Sequence, residues 1–286
     1  MILVADSGST KCDWILADKN GEQLLSSQTE GINPMALSDK AIISIIHNNK
    51  DLEPYKTLVS QIHFYGAGCG TKSADQKMKL LLENMFENAS HISIKEDVVA
   101  AIHATTKKAG VICILGTGSN CCYYDGSNII QKIPSLGYVL SDEGSGNFIG
   151  KELLRGYYHK LMPQHLVTAF EKAHNTDMNQ VFQQLYHNQN PNKYLASFAR
   201  FAFTHKNDPY IQDILNYTIA SFIKTYLTHY HEELQQHPIH FVGSIAFYAQ
   251  DIITKQLNEK GYRASTFVRK PIDRLVKYIA SQNIQA

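Results

Sequence analysis

Short apolar runs alternate with small polar turns in much of the chain, and this pattern predicts strands interleaved with helices. Apolar or alternating runs bounded by Gly, Asn and Asp predict strands at 2–6, 12–18, 22–28, 61–67, 91–95, 111–115, 120–124, 129–132, 239–242 and 263–268. Apolar residues spaced three and four apart predict helices at 37–48, 74–87, 97–107, 245–259 and from Ile272 onward. A long helical region covers about 147–235, with breaks near Pro163, Asn190-Pro191 and Asp208-Pro209. A strand meander followed by alternating helices and strands is typical of a mixed α/β fold.

One unit of this pattern occurs twice. The first strand runs into Asp6-Ser7-Gly8-Ser9-Thr10 and a second strand, and the strand at 111–115 runs into Gly116-Thr117-Gly118-Ser119-Asn120 and another strand. Glycines let the backbone approach a ligand closely, while turn N–H groups and hydroxyls bind phosphate oxygens. Two such hairpins, one near the start of each half, predict a nucleotide clamped between two halves that meet near Lys107–Gly110.

Composition narrows the class of partner. The chain has 286 residues, 44% of them hydrophobic, and a formal net charge of +1. This balance gives no reason to propose nucleic acid or an acidic membrane as a partner. The first residues enter a strand directly, so neither a signal peptide nor a membrane span is expected, and the predicted location is cytoplasmic. Five cysteines without a C-x-x-C motif favour reduced, buried thiols.

Two aspartates in the first half are candidates for chemistry. Asp6 ends the first strand, where a carboxylate could hold Mg²⁺ directly or through water, while Ser9 and Thr10 could bind phosphate. An ordinary Asp/Ser/Gly turn is the alternative interpretation. Asp97 follows the strand at 91–95 and opens an apolar helix. Aspartate is a favoured helix N-cap, which is one interpretation of Asp97. It could also be the base that accepts a proton from an attacking hydroxyl, and the two roles are compatible.

Two Gly-rich segments in the second half are further candidates. The loop Asp142-Glu143-Gly144-Ser145-Gly146 is either an acidic helix entry or a polar loop that binds sugar hydroxyls. Gly243-Ser244 ends a strand and opens a helix, which suits a nucleotide base or ribose, although such turns are common.

These pieces, in this order, resemble the N-acetylglucosamine kinase / BadF-BadG-BcrA-BcrD ATPase family of the sugar kinase–Hsp70–actin superfamily. The resemblance covers nearly the whole chain. Its motifs are Asp6-x-Gly8-x-Thr10, Asp97 before a helix, Gly116-Thr117-Gly118-Ser119, Gly137-x-x-x-x-Asp142-Glu143-Gly144-Ser145-Gly146 and Val242-Gly243-Ser244.

The resemblance implies an α/β protein of two ribonuclease H-like, actin-like ATPase domains with ATP and Mg²⁺ in an interdomain cleft. The first domain would be 1–108, with the helix 272–286 packing back on it. The second would be 109–271, with a helical insertion at about 147–235. The ATP-binding residues would be Gly8, Ser9, Thr10, Thr117, Gly118 and residues 243–247, including Gly243 and Ser244. The sugar-binding residues would be Asn33, Asp97, Ser119, Asn120, Gly137 and Asp142.

The expected activity is therefore an ATP-dependent kinase acting on N-acetylglucosamine or a related amino sugar, with Asp97 as general base. Two alternatives are an ATPase of the dehydratase-activator type and a non-catalytic sugar- or nucleotide-binding regulator. A homodimer is one arrangement that the sequence leaves open. The chain departs from the family pattern at Leu136, where a tryptophan is usual, and at Ser141 and Arg274, where glycines are usual.

Overall fold

The chain forms two compact units in the computed structural model, which is described for residues 1–8, 10–188 and 190–283. The first unit comprises Met1–Ala104 together with the C-terminal segment that begins at Lys270, and the second comprises Thr105–Arg269. Each unit is built on its own five-stranded sheet.

The first sheet has the strand order β3-β2-β1-β4-β5. Its strands are β1 (Ile2–Ser7), β2 (Lys11–Ala17), β3 (Gln23–Glu30), β4 (Gln61–Gly66) and β5 (His91–Glu96). The first three form an antiparallel meander, while β4 and β5 lie parallel to β1. Strands β1, β3, β4 and β5 therefore all point the same way, so that their carboxyl ends meet at one edge of the sheet.

Helices cover both faces of this sheet. The helices of the first unit are α1 (Asp39–His47), α2 (Lys72–Met85), α3 (Asp97–Thr105, whose last residue belongs to the second unit) and the C-terminal α14 (Ile272–Asn283), with a 3₁₀ helix over Glu53–Leu58. One core contains Trp14, Phe64 and Phe86. On the other face, Leu275 and Ile279 of α14 pack with Val4 of β1. Because strand side chains alternate between faces, the nearly all-apolar β1 contributes to both cores.

The second sheet has the order β10-β9-β6-β7-β8. Its strands are β6 (Gly110–Leu115), β7 (Ser119–Tyr124), β8 (Ile129–Ile130), β9 (Ile239–Val242) and β10 (Ala264–Val268). Strands β6, β9 and β10 are parallel, and β6, β7 and β8 form a second antiparallel meander. The predicted duplication of the strand–hairpin–strand unit is thus confirmed at the level of topology.

The long helical region is divided where proline residues were expected to break it. Its helices are α4 (Gly137–Leu140), α5 (Gly146–Tyr158), α6 (Gln164–Ala173), α7 (Met178–Phe182), α8 (Pro191–Ser197), α9 (Ala199–Thr204), α10 (Pro209–Thr225) and α11 (His231–Gln236), with a π-helix at Gln183–His187 and a 3₁₀ helix at Leu227–Tyr230. Asp208 caps α10 through its side chain, and prolines at 191 and 209 occupy first-turn positions that need no N–H donor. No helix in the described part of the chain is both long and apolar enough to cross a bilayer.

The structure corrects the sequence-based prediction at two places in this unit. The segment expected to be entirely loop at 136–146 contains α4, a four-residue helix. The helix expected over 245–259 is two helices, α12 (Ser244–Tyr248) and α13 (Gln250–Glu259). The Lys206 ammonium donates to the carbonyl of Tyr248 at 2.8 Å, at the junction between these two helices.

Candidate active-site residues

Three predicted site residues of the first unit meet at the carboxyl edge of its sheet. Asp6 is the penultimate residue of β1, and Asp97 directly follows β5, while Asn33 follows β3. Ser7 fastens this edge, because its buried hydroxyl accepts from the Ile32 N–H at 2.7 Å and donates to the Ile32 carbonyl at 3.0 Å. In open α/β sheets this edge is where ligands bind.

The pKa values of both Asp6 and Asp97 are raised above the ordinary value of an aspartate. Burial, followed by the carboxylates of Asp97 and Asp13, raises the pKa of Asp6 to about 7. Burial, followed by the carboxylate of Glu96, raises the pKa of Asp97 to about 6. Paired acidic groups with raised pKa values are typical of sites that bind a cation or move a proton.

A third aspartate, which the sequence analysis did not single out, lies beside Asp6. Asp13 is paired with Asp6 across β1 and β2, and its carboxylate accepts from Lys11 at 2.8 Å, Lys270 at 2.9 Å and Gln28 at 2.7 Å. Burial alone would raise the pKa of Asp13, but these hydrogen bonds hold that pKa below its usual value. The feature of the sequence that could have indicated Asp13 is an acidic residue inside the apolar run 12–16.

The hairpin of the second unit is anchored from two sides. The N–H groups of Gly146 and Asn147, at the start of α5, donate to the carbonyls of Gly116 and Thr117 at 2.8 and 3.1 Å. Gly243 lies against the backbone at Leu115, so closely that a Cβ at this position would collide with the Leu115 carbonyl oxygen. Its φ of +109° also requires glycine. The predicted ATP-binding residues Thr117, Gly118 and Gly243 therefore lie at one edge of the second sheet, and Ser244 begins α12 there.

Asp142 closes the same edge. Its Oδ1 accepts from the Ser119 N–H at 3.1 Å, and its Oδ2 accepts from the Asn147 amide at 2.7 Å. A Cβ at position 118 would lie 2.9 Å from Asp142 Oδ2, which accounts for Gly118. Two predicted sugar-binding residues, Ser119 and Asp142, are thus in direct contact.

The other predicted residues of the second unit lie nearby on different elements. Gly137 begins α4, five residues before Asp142. Asn120 follows Ser119 on β7, so its side chain points to the opposite face of the strand, where its Oδ1 accepts from Gln131 at 2.8 Å. In the first unit, Gly8 and Thr10 lie in the β1–β2 turn, whereas Ser9 lies outside the described residues.

The motifs and this fold place the chain within a known group of proteins. The family model of the BadF/BadG/BcrA/BcrD ATPases matches residues 5–272. The chain belongs to the BadF/BadG/BcrA/BcrD ATPase family. The resemblance noted from the sequence is therefore confirmed, as is the α/β fold of sugar kinases and actin-like ATPases.

Solved structures agree with this assignment to the ATPase family. A candidate N-acetylglucosamine kinase from Porphyromonas gingivalis is 30% identical over 98% of this chain and 99% of that one, with a TM-score of 0.90. A second candidate N-acetylglucosamine kinase, from Chromobacterium violaceum, is 15% identical over 98% of both chains, with a TM-score of 0.67. A ROK family glucokinase from Streptomyces griseus, solved with glucose and AMPPNP, is 12% identical over 99% of this chain and all of that one, with a TM-score of 0.61. These last two comparisons concern the fold alone.

The family assignment rests on the family model and on the Porphyromonas gingivalis neighbour, which is 30% identical. All five cysteines are buried thiols outside any disulfide, as expected for thiols that pack as small apolar groups.

Proposed function

We propose that this member of the BadF/BadG/BcrA/BcrD ATPase family transfers the γ-phosphoryl group of ATP to a hydroxyl of N-acetylglucosamine or a related amino sugar. The observation that supports this most strongly is the carboxyl edge of the first sheet, where Asp6 and Asp97 have raised pKa values. The Porphyromonas gingivalis neighbour adds the amino sugar as the substrate to test first.

Asp97 is the general base in this proposal. It would align the sugar hydroxyl and accept its proton as the oxygen attacks phosphorus. Its pKa of about 6 suits the role, because the carboxylate is ionised at neutral pH yet more basic than an ordinary aspartate. The proton then resides on a half-buried carboxyl group whose surroundings raise its affinity for protons.

The two hairpins bind the triphosphate in this proposal. In the first unit, Gly8 and Thr10 offer a tight turn, and in the second, Thr117 and Gly118 offer another that α5 holds in place. Backbone N–H groups and hydroxyls of this kind bind phosphate oxygens. Gly243 and Ser244 would contact the nucleoside. Phosphoryl transfer requires mainly positioning and charge neutralisation, which these groups can supply.

Mg²⁺ fits the donors at Asp6. Carboxylate oxygens are the ligands it prefers, and it is commonly held by one or two carboxylates plus substrate phosphates. Among the described residues no group of three or more His, Cys, Asp or Glu side chains is arranged to hold a metal ion. When bound, the ion would neutralise phosphate charge. A cation here would also offset the repulsion that Asp6 experiences from Asp97 and Asp13.

In this proposal the sugar-binding groups are those that the resemblance implies, namely Asn33, Asp97, Ser119, Asn120, Gly137 and Asp142. Carboxylate and amide groups bind sugar hydroxyls in defined directions, and therefore fix which hydroxyl faces Asp97.

An ADP-release assay over free hexoses, hexosamines and N-acetylated hexosamines tests the proposal. We expect ADP release to depend on sugar and to be fastest with N-acetylglucosamine or a close relative. Sugar-independent ADP release would favour the dehydratase-activator ATPase, and sugar binding without ADP release would favour the regulator. Either result would contradict the kinase proposal.

A further inference from the structure

The Asp142 loop is held by a residue that the sequence motifs do not include. Asn147 lies in the first turn of α5, and it is completely buried, while Asp142 and Ser119 are each 5% exposed. The Asn147 side chain donates to Asp142 Oδ2 at 2.7 Å, and its own N–H donates to the Thr117 carbonyl at 3.1 Å. One residue thus connects the acidic loop to the hairpin.

Asp142 needs such support, because its backbone is in the left-handed region. Its φ is +71°, a conformation that costs a non-glycine residue free energy unless its surroundings fix it. The Ser119 N–H and the Asn147 amide bind the two oxygens of the carboxylate separately, and together they define its orientation.

The cluster is incompletely paired, which distinguishes it from an ordinary structural network. The Ser119 Oγ and Asn147 Oδ1 atoms are both buried and have no hydrogen-bond partner among the described residues. Native proteins pair nearly all buried polar atoms, and exceptions tend to be functional. Two unpaired atoms on either side of a fixed carboxylate indicate a site organised for polar recognition rather than for stability.

We propose that Asn147 is a positioning residue for sugar binding, which acts by fixing the carboxylate of Asp142. This inference rests on the proposed function, since it takes Asp142 as a sugar-binding group. Asn147 supplies a donor to one oxygen of Asp142 and thereby fixes the direction of the carboxylate. The hydroxyl-bearing ligand then meets an acceptor that does not have to reorganise.

Binding of two ligands to Asn147→Ala separates this role from a general loss of structure. We expect the Kd of N-acetylglucosamine, measured by calorimetry, to rise about tenfold, and the Kd of AMPPNP to change less than twofold. Asn147→Asp should weaken sugar binding further, because two carboxylates would face each other. Thr218→Val is the matched control, because Thr218 is equally buried in the same unit but donates to Ile214 of its own helix.

The amide signal of Ser119 reports the position of Asp142 without any ligand. Its N–H donates to Asp142 Oδ1, so in ¹H–¹⁵N spectra we expect an upfield proton shift in Asn147→Ala and none in Thr218→Val. The double variant Asp142→Asn/Asn147→Asp again places an amide opposite a carboxylate, with the two groups exchanged. Its Ser119 proton shift should therefore lie closer to the wild-type value than that of Asn147→Asp.

Equal weakening of sugar and AMPPNP, or an unchanged Ser119 signal in Asn147→Ala, would overturn the positioning role. If the wild-type chain binds no amino sugar, the proposed function fails instead. The Ser119 signal then still decides whether Asn147 positions Asp142.

Discussion

At the scale of single residues, the chemistry depends on carboxyl groups held in surroundings that disfavour their charge. Asp97 and Asp6 are half-buried at the ends of parallel strands, and each has an acidic neighbour that raises its pKa further. The pKa of Asp13 is not raised, because Lys11 and Lys270 form ion pairs with its carboxylate. Similar side chains a few residues apart therefore differ in the ease with which they accept a proton.

The pKa of Asp97 predicts the acid side of the pH–rate profile. A base must be ionised, so kcat/KM for the sugar should fall about tenfold per pH unit below about pH 6, at saturating Mg²⁺ and ATP. Glu96→Gln removes the carboxylate that raises this pKa, and it should move the descending limb to lower pH. A limb that stays in place in Glu96→Gln would assign it to another group.

The same raised pKa predicts that Asp97 reduces the stability of the folded chain at neutral pH. Its folded pKa of about 6 exceeds the ordinary 3.8, so ionisation favours unfolding, and stability falls as the pH rises from about 4 to about 6. Asp97→Asn should therefore raise the free energy of unfolding by about 1–3 kcal/mol at pH 8. The gain should vanish below about pH 4.

Urea unfolding at pH 8 and pH 4 measures this difference. Asp213→Asn, at an exposed position of α10, is the control and should change stability by less than about 0.5 kcal/mol. A destabilised Asp97→Asn at pH 8 would show that the carboxylate is needed for folding rather than for chemistry.

At the scale of elements, the loop that carries Asp142 is attached to distant helices. Ser141 and Tyr226 are both buried, and their hydroxyl oxygens are 2.6 Å apart. Ser141 stands where relatives usually have glycine, and this contact gives the departure a structural role. The loop is thus fixed at its start by the end of α10 and at its finish by α5.

Removing the Ser141–Tyr226 contact should loosen the loop measurably. We expect Tyr226→Phe to lower the free energy of unfolding by about 1 kcal/mol, because the buried Ser141 hydroxyl loses its shorter hydrogen bond and keeps only the one to Glu143 at 3.3 Å. Tyr217→Phe, on the same helix but 55% exposed, is the control. In a double-mutant cycle with Ser141→Gly the two changes should be non-additive. Additive effects would mean that the two hydroxyls do not stabilise each other.

Most elements could be predicted from the sequence because their signals are local. The strand-and-hairpin repeat depends on apolar runs and glycines, and the helix starts at Pro191 and Pro209 depend on proline geometry. The 3₁₀ helix at Glu53–Leu58 and α4 were missed, since neither has enough turns to show an apolar period. The break before α13 was missed because neither proline nor glycine marks it in the sequence.

The site was predictable to the same extent. Glycines and aspartates in turns marked Asp6, Asp97 and Asp142, whereas Asn147 and Lys270 act through side-chain contacts formed only in the folded chain. Lys270 bonds to Asp13, 257 residues earlier in sequence. No local sequence pattern predicts such a pairing, and neither Asn147 nor Lys270 lies in a recognisable motif.

At the scale of the whole molecule, the chain is two units whose sheets repeat one topology. The C-terminal segment from Lys270 onward returns to the first unit, where α14 packs on β1 and Lys270 reaches Asp13. The first sheet therefore forms its complete set of contacts only after the second unit has been synthesised.

The most direct test of the account follows the γ-phosphate of labelled ATP with N-acetylglucosamine present, in wild type and Asp97→Asn. We predict a sugar phosphate from the wild type. Loss of the base should slow this transfer at least about 100-fold in Asp97→Asn, while AMPPNP binds with a Kd within about twofold. Transfer by Asp97→Asn at a near-normal rate, or label released by the wild type only as inorganic phosphate, would contradict the central claim.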